Sequence, residues 1–146
     1  MIDVLTDEQI DQVLASQIVG RIGCHWEGKT YIVPIAYVFD GTHIYGHSRV
    51  GMKIDIMRKN PHVCFQVDII DNLANWRSVV IDGAFEELKA NALQLKAYTL
   101  LKARLSPLIT SDAAKPLQTP PAGEKKLRPI LFRIAILGKS GRFEKK

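Results

Sequence analysis

Two short turn signals, Glu27-Gly28 and Asp40-Gly41, divide the first half of the chain into three segments rich in β-branched and aromatic residues. The segments are QIVGRIGCHW, KTYIVPIAYVF and THIYGHS. A tight turn joins antiparallel neighbours, whereas parallel strands need a long crossover, usually a helix. The chain therefore predicts a meander of hairpin-linked strands. A doubly wound parallel sheet is disfavoured, because no strand–helix–strand rhythm is present.

The remaining segments predict three helices and further strands. Thr6 and Gln9 form a capping-box signature for a helix from about Asp7 to Ser16. The later segments predict a helix over 51–59 that ends at Asn60-Pro61, alternating strands in HVCFQVDII and NWRSVVIDGAFEEL, a helix over 90–105 and a last strand in PILFRIAILGKSGRF. Gly83 marks a bulge or bend in the second of those strands. A mainly β protein follows, a closed antiparallel barrel with helices at its openings.

Length and composition predict one domain, 1–146, with a proline-rich loop over 106–128 that holds four of the seven prolines. No apolar run approaches the roughly 20 residues that span a bilayer. The start MIDVLTDEQ lacks the basic and apolar parts of a signal peptide, so we expect a cytoplasmic protein without membrane association. Cys24 and Cys64 each lie in an apolar run, which predicts two buried free thiols.

The net charge of +5 is concentrated at the C-terminus. Residues 124–146 hold eight Lys or Arg against two Glu, whereas residues 1–123 hold twelve against thirteen Asp or Glu. Nucleic-acid binding normally combines a basic surface with aromatic residues on strands, and that pattern does not accompany the basic end. Nucleic acid is therefore not predicted as a partner.

Motifs of hydrolases, zinc proteases and P-loop proteins are missing from the sequence. His43 and His47 share one face of a predicted strand but lie about 13 Å apart along it, too far for one metal ion. His62 and Cys64 are nearer, yet no further ligand clearly joins them. No metal site is predicted, and structural or solvent-facing histidines are favoured.

The turn that holds Ser48, Arg49, Gly51 and Lys53 is the best candidate site. A hydroxyl, a guanidinium, a backbone free of side chain and an ammonium at the start of a helix suit a phosphate. The segment Asn75-Trp76-Arg77-Ser78 opens the next strand but one, and it could add a hydroxyl and a cation to the same anion. A solvated helix start is the alternative interpretation of the turn.

The order of these segments resembles a known family. GRIGC, then YIVPIAYVFDGTHIYGHSRVGMKIDIMRKNPHVCFQVD, then WRSVVIDGAFEEL is similar to the pyridoxamine 5′-phosphate oxidase-like family of flavin-binding split barrels, and to its branch that includes nitroimidazole-resistance proteins. The resemblance covers about residues 5–90 and, more loosely, the last strand. It implies an antiparallel, Greek-key-like split β-barrel that forms a homodimer, with one FMN per subunit at the interface and a small-molecule substrate.

The resemblance also implies roles for particular residues. Val33, Pro34, Ile35 and Ala36 would line the edge of the isoalloxazine ring, although barrel core is the alternative for these four. His47 and Ser48 would lie beside the ribityl phosphate, and Lys53 matches the phosphate-binding lysine. Arg49 is a neighbour in the same turn. Trp76, Arg77 and Ser78 fall where the family adds further flavin or phosphate contacts, sometimes across the dimer.

The implied function is that of a flavin-dependent oxidoreductase. The final segment GKSGRFEKK lacks the Trp of the true oxidases, and only Arg142 echoes their substrate-binding end, which argues against pyridoxamine phosphate as substrate. Two alternatives remain open. One is a non-catalytic module that holds flavin or haem, with His25, His43, His47 or His62 as an axial ligand. The other is a nitroimidazole or nitro-group reductase.

Overall fold

The computed structural model of the chain describes residues 1–108 and 129–146. The strands are β1 Ile2–Val4, β2 Val19–Trp26, β3 Lys29–Ala36, β4 Val38–Phe39, β5 His43–Ser48, β6 His62–Asn72, β7 Asn75–Glu87 and β8 Ile130–Glu144. The helices are α1 Asp7–Ser16, α2 Met52–Lys59 and α3 Asn91–Leu105, which continues into the 3₁₀ turn Ser106–Leu108. The rest of the predicted loop 106–128 lies outside the described residues.

All the strands belong to one antiparallel sheet with the order β3-β2-β6-β7-β8-β5-β4, and β1 pairs with the end of β8. This confirms the prediction of a mainly β, antiparallel fold. Both predicted hairpin turns form. Glu27, Gly28 and Gly41 take positive φ angles of 48°, 78° and 100°, the backbone conformation that tight hairpins require.

The sheet closes on itself through the covalent chain. β3 lies at one end of the strand order and β4 at the other, yet only Tyr37 separates them in sequence. The backbone N–H of Tyr37 donates to the carbonyl of Ile18, and its fully buried hydroxyl donates to the carbonyl of Leu14 at 2.6 Å. The result is the split barrel that the sequence predicts.

Helix α1 closes one opening of the barrel. Thr6 caps it and forms the complete capping box with Gln9, and its buried face carries Ile10, Val13 and Leu14. Helix α3 lies outside the barrel against β4, β5 and β8, where Ala97, Leu101 and Leu105 form a second core with Tyr45 and Leu88. The prediction that the helices lie at the openings of the barrel is therefore wrong for α3, whose apolar residues pack on the outer face of these strands. The barrel interior and the α3 layer are thus two separate hydrophobic clusters.

Strand β6 corrects one prediction about the cysteines. Val63, Phe65 and Val67 are buried inside the barrel, as alternation predicts. Cys64 lies between them on the opposite face and is exposed, whereas Cys24 is buried. The prediction of two buried thiols is therefore wrong for Cys64, because the alternation of the strand outweighs the apolar character of the run.

Gly83 lies at an irregularity of the sheet, as predicted. Asp82 pairs with Gly138 and Gly83 with Ile136, so Leu137 on β8 is the extra residue. The bulge belongs to β8, and Gly83 is the residue opposite it. A Cβ on Gly83 would clash with the side chain of Ile134, so only glycine fits there.

Candidate functional site

The gap between β3 and β5 is the feature around which the candidate site is built. β4 pairs with β5 through Val38↔Tyr45 and Phe39↔Ile44. Extending this register by two residues sets Ala36 opposite His47, but β3 and β5 form no ladder there. We call this gap the split. It begins at Tyr37 and is walled by β3 on one side and by the end of β5 on the other.

The predicted phosphate turn lies at the open end of the split. His47 and Ser48 end β5 and are half-buried, and Lys53 in the first turn of α2 is half-buried as well. The Ser48 hydroxyl donates to the carbonyl of Arg49 at 2.8 Å, while the Arg49 side chain is exposed. His47 and Ser48 are thus neighbours at the end of β5, and Lys53 lies close enough to His47 to affect its pKa, whereas the Arg49 side chain is exposed.

The start of α2 leaves backbone donors free for a ligand. Its N-cap is Gly51, which has no side chain to accept from the first N–H groups, and the first helical bond runs from Asp55 N–H to the Gly51 carbonyl. A Cβ on Gly51 would meet only the Arg49 carbonyl, at 4.0 Å. An incoming anion therefore has open access to the N–H groups of the first turn.

Titratable groups at this site influence one another. Burial lowers the pKa of the His47 imidazole below its ordinary 6.5, and the ammonium of Lys53 lowers it further. Burial also lowers the pKa of Lys53. Burial raises the pKa of the Cys24 thiol, against the opposing effect of Lys53. At neutral pH the site therefore combines a neutral imidazole, a neutral thiol and an ammonium.

Cys24 is a neighbour of the site that the sequence did not single out. It lies on β2 and faces the barrel interior, where its Sγ donates to the carbonyl of Tyr31 at 3.6 Å. Ile22 lies two residues earlier on the same strand and is buried. Because side chains two apart on a strand share one face, the sequence allows the prediction that Cys24 also points inward. Its proximity to Lys53 depends on the packing of α2 against β2, which no local pattern reveals.

The four candidate residues on β3 divide between the two faces of the strand. Ile35 is only 6% exposed and belongs to the barrel core, and Val33 packs partly against the same core. Ala36 packs against the α3 core, whereas Pro34 is exposed. Because β3 ends the strand order, its outer backbone edge faces the split, and this edge is what the segment presents to a ligand.

The second polar set does not join the turn within one chain. Ser78 pairs with Arg142 on β8, whereas Ser48 pairs with Ile130 on the same strand. Twelve residues separate the two positions on β8, about 40 Å along an extended strand. Trp76, Arg77 and Ser78 thus lie far along the sheet from the turn, and their contribution to the same anion stays a prediction.

Trp76 and Ser78 have other surroundings. Trp76 and Arg77 line a groove of about 380 Å³ with Gln9, Gln12 and Phe143, beside α1. The Ser78 hydroxyl accepts from Gln66 at 3.2 Å, and Gln66 also donates to Asp68 at 2.9 Å. These contacts place Ser78 on the outer face of the barrel.

That outer face carries a second groove, of about 510 Å³, beside β2, β3 and β6. It is lined by Arg21, Gly23, Cys24, His25, Thr30, Ile32, His62, Val63, Cys64, Gln66 and Asp82. His62 pairs with Asp82 at 2.5 Å and Arg21 with Asp68 at 3.4 Å. Ile32 is 66% exposed and Val80 on the same sheet face is 41% exposed. The surface is apolar, with the Arg21–Asp68 ion pair and the His62–Asp82 hydrogen bond on it.

The other histidines lie outside the split. His25 and His62 are exposed, and His43 contacts the Thr42 hydroxyl at 2.9 Å. In residues 1–108 and 129–146 no three His, Cys, Asp or Glu side chains are arranged to hold a metal ion. Across the same residues no helix is long and apolar enough to cross a bilayer.

The fold defines a split-barrel protein whose split ends at a turn that carries Lys53 and an N-cap glycine. Residues 6–128 match the model of the pyridoxamine 5′-phosphate oxidase family, and the chain belongs to that family. The resemblance inferred from the order of the segments is thereby confirmed.

Two individual proteins illustrate how similar the chain is to its relatives. An uncharacterised protein of Rhizobium meliloti (strain 1021) is 38% identical over 87 residues, which are 60% of this chain and 58% of the relative. The match thus spans less than two thirds of that protein. An FAD-binding protein from Mesorhizobium loti is 29% identical with a TM-score of 0.78, over 100% of this chain and 98% of that chain.

A third relative shares the fold alone. A protein assigned to 5-nitroimidazole antibiotic resistance in Bacteroides thetaiotaomicron has a TM-score of 0.73 at 16% identity. The comparison covers 98% of this chain and 87% of that chain. Proteins with different described roles thus share the split barrel. The fold alone does not give the function, which has to be argued from the site.

Proposed function

We propose that this chain binds FMN at the split and acts as a flavin-dependent oxidoreductase. His47, Ser48 and Lys53 would hold the phosphate, and the backbone edge of β3 at Val33–Ala36 would contact the isoalloxazine ring. The full-length similarity to an FAD-binding protein supports a flavin ligand. We favour FMN because the cationic groups are gathered at one small turn, which matches a single phosphate.

The observation that carries the proposal is the unbalanced charge at the split. Lys53 is half-buried beside His47, and no carboxylate of the described residues contributes to the pKa of either group. A partly buried cation without a counter-ion is unfavourable. An anionic ligand would supply the missing charge, and the free N–H groups at the start of α2 would add hydrogen bonds.

The flavin would supply the hydride or electron transfer itself. The protein residues would bind and orient it: Lys53 as the cation, Ser48 as a hydroxyl and the β3 edge as a source of backbone hydrogen bonds. Arg142, the one residue that echoes the oxidases' substrate-binding end, is exposed on β8 beside Ser78. We therefore propose a small-molecule substrate other than pyridoxamine phosphate.

A homodimer would give a role to the second polar set, which lies far from the phosphate turn of its own chain. Trp76, Arg77 and Ser78 lie far along β8 from the proposed phosphate turn of their own chain, so a second copy would be better placed to supply them. The outer face with Ile32 and Val80 offers exposed apolar surface for such an association.

Light scattering after size-exclusion chromatography should give twice the chain mass, and Ile32→Glu should lower the measured mass. A monomeric wild-type protein would contradict the dimer.

The cofactor is tested by titrating the purified chain with FMN, FAD and riboflavin while flavin fluorescence is followed. We expect FMN to bind with the highest affinity and riboflavin, which lacks the phosphate, with the lowest. Circular dichroism shows that the protein is folded in each case. Tighter binding of FAD would replace FMN in the proposal, and no binding of any flavin by folded protein would refute the flavin function.

Catalysis is tested separately. The FMN-loaded protein should be reduced by NADH or NADPH and reoxidised by an acceptor such as oxygen or a quinone, faster than free FMN. A loaded protein that shows no rate above free FMN would be a non-catalytic flavin-binding module.

The contribution of the second copy is tested by subunit mixing. Lys53→Ala and Arg77→Ala each remove one part of every site in a dimer. A mixed dimer of the two variants contains one intact site if the partner supplies Arg77. FMN binding that recovers on mixing supports the shared site, and binding that stays at the level of the separate variants contradicts it.

A further inference from the structure

Pro34 is a proline in the second half of strand β3, where every other residue carries an N–H that a ladder could use. It pairs with Arg21 of β2 and is exposed. Because proline has no N–H, a sheet tolerates it only where that position points away from the neighbouring strand. The direction of the Pro34 nitrogen therefore decides what the missing donor does.

The pairing of β2 with β3 gives that direction. The N–H of Tyr37 donates to the carbonyl of Ile18 at 3.0 Å, on the register that continues the β2–β3 ladder. In an antiparallel ladder, pairs that exchange hydrogen bonds alternate with pairs that do not. Ile32, Pro34 and Ala36 belong to the second kind, so their backbone groups point away from β2, towards the open edge of β3.

The pairing of β4 with β5 directs the opposite wall of the split at the same gap. The N–H of Asp40 donates to the carbonyl of His43 at 3.3 Å, and Val38 pairs with Tyr45 on the same register. The same alternation makes His47 the next position of β5 whose backbone groups point away from β8. Backbone groups of β3 and β5 thus face one another across the split, although no ladder joins the two strands.

The missing donor falls on the second open position of this register. Extending the β4–β5 register sets Ala36 opposite His47, and the next such position sets Pro34 opposite Arg49, just beyond the end of β5. A pair at Pro34 could form only one of its two hydrogen bonds, and the proline ring lies where an N–H would point at the opposing carbonyl. The Arg49 carbonyl accepts instead from the Ser48 hydroxyl at 2.8 Å.

We propose that Pro34 keeps the split open by preventing β3 from pairing with β5, so that the backbone N–H and carbonyl groups of Ala36 and His47 stay available to a ligand. With an N–H at position 34 the two strands could satisfy these groups by pairing with each other. Where it concerns the ligand, the inference rests on the proposed function, which sets the flavin ring along this edge. Pro34 is then a positioning residue that acts through the edge of the strand.

The test is amide hydrogen exchange of the full chain, followed by NMR in the wild type and in Pro34→Thr. Threonine supplies the missing N–H and favours strands. We expect the amides of Ala36 and His47 to exchange at least about tenfold more slowly in the variant, because pairing protects them. FMN affinity should fall by about tenfold or more, since the ligand would have to replace hydrogen bonds already formed.

Thr30→Val is the matched control. Thr30 lies on the same strand and on the same alternate positions as Pro34, so the change adds a β-branched apolar side chain without altering the backbone donors of the edge. It should leave both the exchange rates and the FMN affinity as they are in the wild type. Slower exchange in this control would show that strand propensity, and not the missing N–H, keeps the split open.

The outcomes separate the role of Pro34 from the flavin function. Unchanged exchange at Ala36 and His47 in folded Pro34→Thr would overturn the proposal and leave the flavin function standing. Slower exchange with unaltered FMN affinity would support closure of the split but overturn the part that concerns the ligand. Folded wild-type protein that binds no FMN would refute the flavin function, whereas the exchange rates would still decide the role of Pro34.

Two further measurements keep the test decisive. Protection that grows with protein concentration would mean that the restored edge pairs with a second copy, and it would overturn closure within the chain. If Pro34→Thr does not fold, Pro34→Ala supplies the same N–H with a smaller side chain, and its exchange rates are measured against the same prediction.

Discussion

Gly46 on β5 lies directly opposite Phe132 on β8, and the phenyl ring covers the glycine. A Cβ on Gly46 would be 2.7 Å from the Cζ of Phe132, which is fully buried. An aromatic ring that fills the space above a cross-strand glycine fixes the register of the two strands. The next residue is His47, so this pair also fixes where the site begins.

Gly46→Ala should destabilise the protein by about 1–3 kcal/mol, because the added methyl group overpacks the Phe132 ring. The free energy of unfolding from urea titration measures the effect. Gly23→Ala is the matched control, since a Cβ there meets its nearest neighbours at 3.8 Å. Equal stability of the two variants would show that the glycine–phenylalanine contact is not tight.

Tyr37 and Tyr45 allow one chemical change to be tested in two environments. Both are fully buried, and the Tyr37 hydroxyl donates to Leu14, whereas the Tyr45 hydroxyl makes no hydrogen bond of good geometry among the described residues, although Lys96 and Arg133 lie near it. Tyr37→Phe should cost about 1–3 kcal/mol because it leaves the Leu14 carbonyl unpaired. Tyr45→Phe should leave the free energy of unfolding nearly unchanged, and a large loss there would show that Lys96 or Arg133 donates to the hydroxyl.

Asp40 should make stability depend on acid pH. Burial alone would raise the pKa of its carboxyl, but the N–H groups of His43 and Thr42, the Thr42 hydroxyl and Lys96 together lower it from 3.8 to about 2. The stabilisation is therefore complete above about pH 4 and is lost as the pH falls towards 2. Asp40→Asn should flatten this part of the stability curve measured by urea unfolding, and an unchanged acid limb would contradict the assignment.

Lys53→Ala should weaken FMN binding about ten- to hundredfold, as expected for the loss of one charge-assisted contact. Fluorescence titration measures the affinity. Lys59→Ala removes the same charge from the exposed last turn of α2 and is the control for net charge. If both variants bind FMN equally, Lys53 does not contact the phosphate.

The sequence predicted the parts of the fold that local patterns encode. The hairpin glycines, the capping box of Thr6 and the alternation of β6 led to the correct elements. β1 was not predicted, because three residues, Ile2–Val4, carry too short a pattern and gain their conformation from pairing with β8. The apolar composition of the run around Cys64 predicts burial, but its position between Val63 and Phe65 directs its side chain to the exposed face.

The candidate site was predictable only in part. Ser48, Gly51 and Lys53 are close in sequence, so a single turn brings them together. The position of Ser78 depends on the register of β7 along the 15 residues of β8, and no local signal reports how far apart two points on one long strand lie. The approach of Cys24 to Lys53 depends on the packing of α2 against β2, which no local pattern reports.

The one-residue link at Tyr37 has a geometric consequence for anything that enters the split. β3 and β4 cannot separate where a single residue joins them, and β4 is hydrogen-bonded to β5, so the split is closed at Tyr37 and can open only away from it. The covalent link, rather than any side chain, therefore sets the inner limit of the space between β3 and β5.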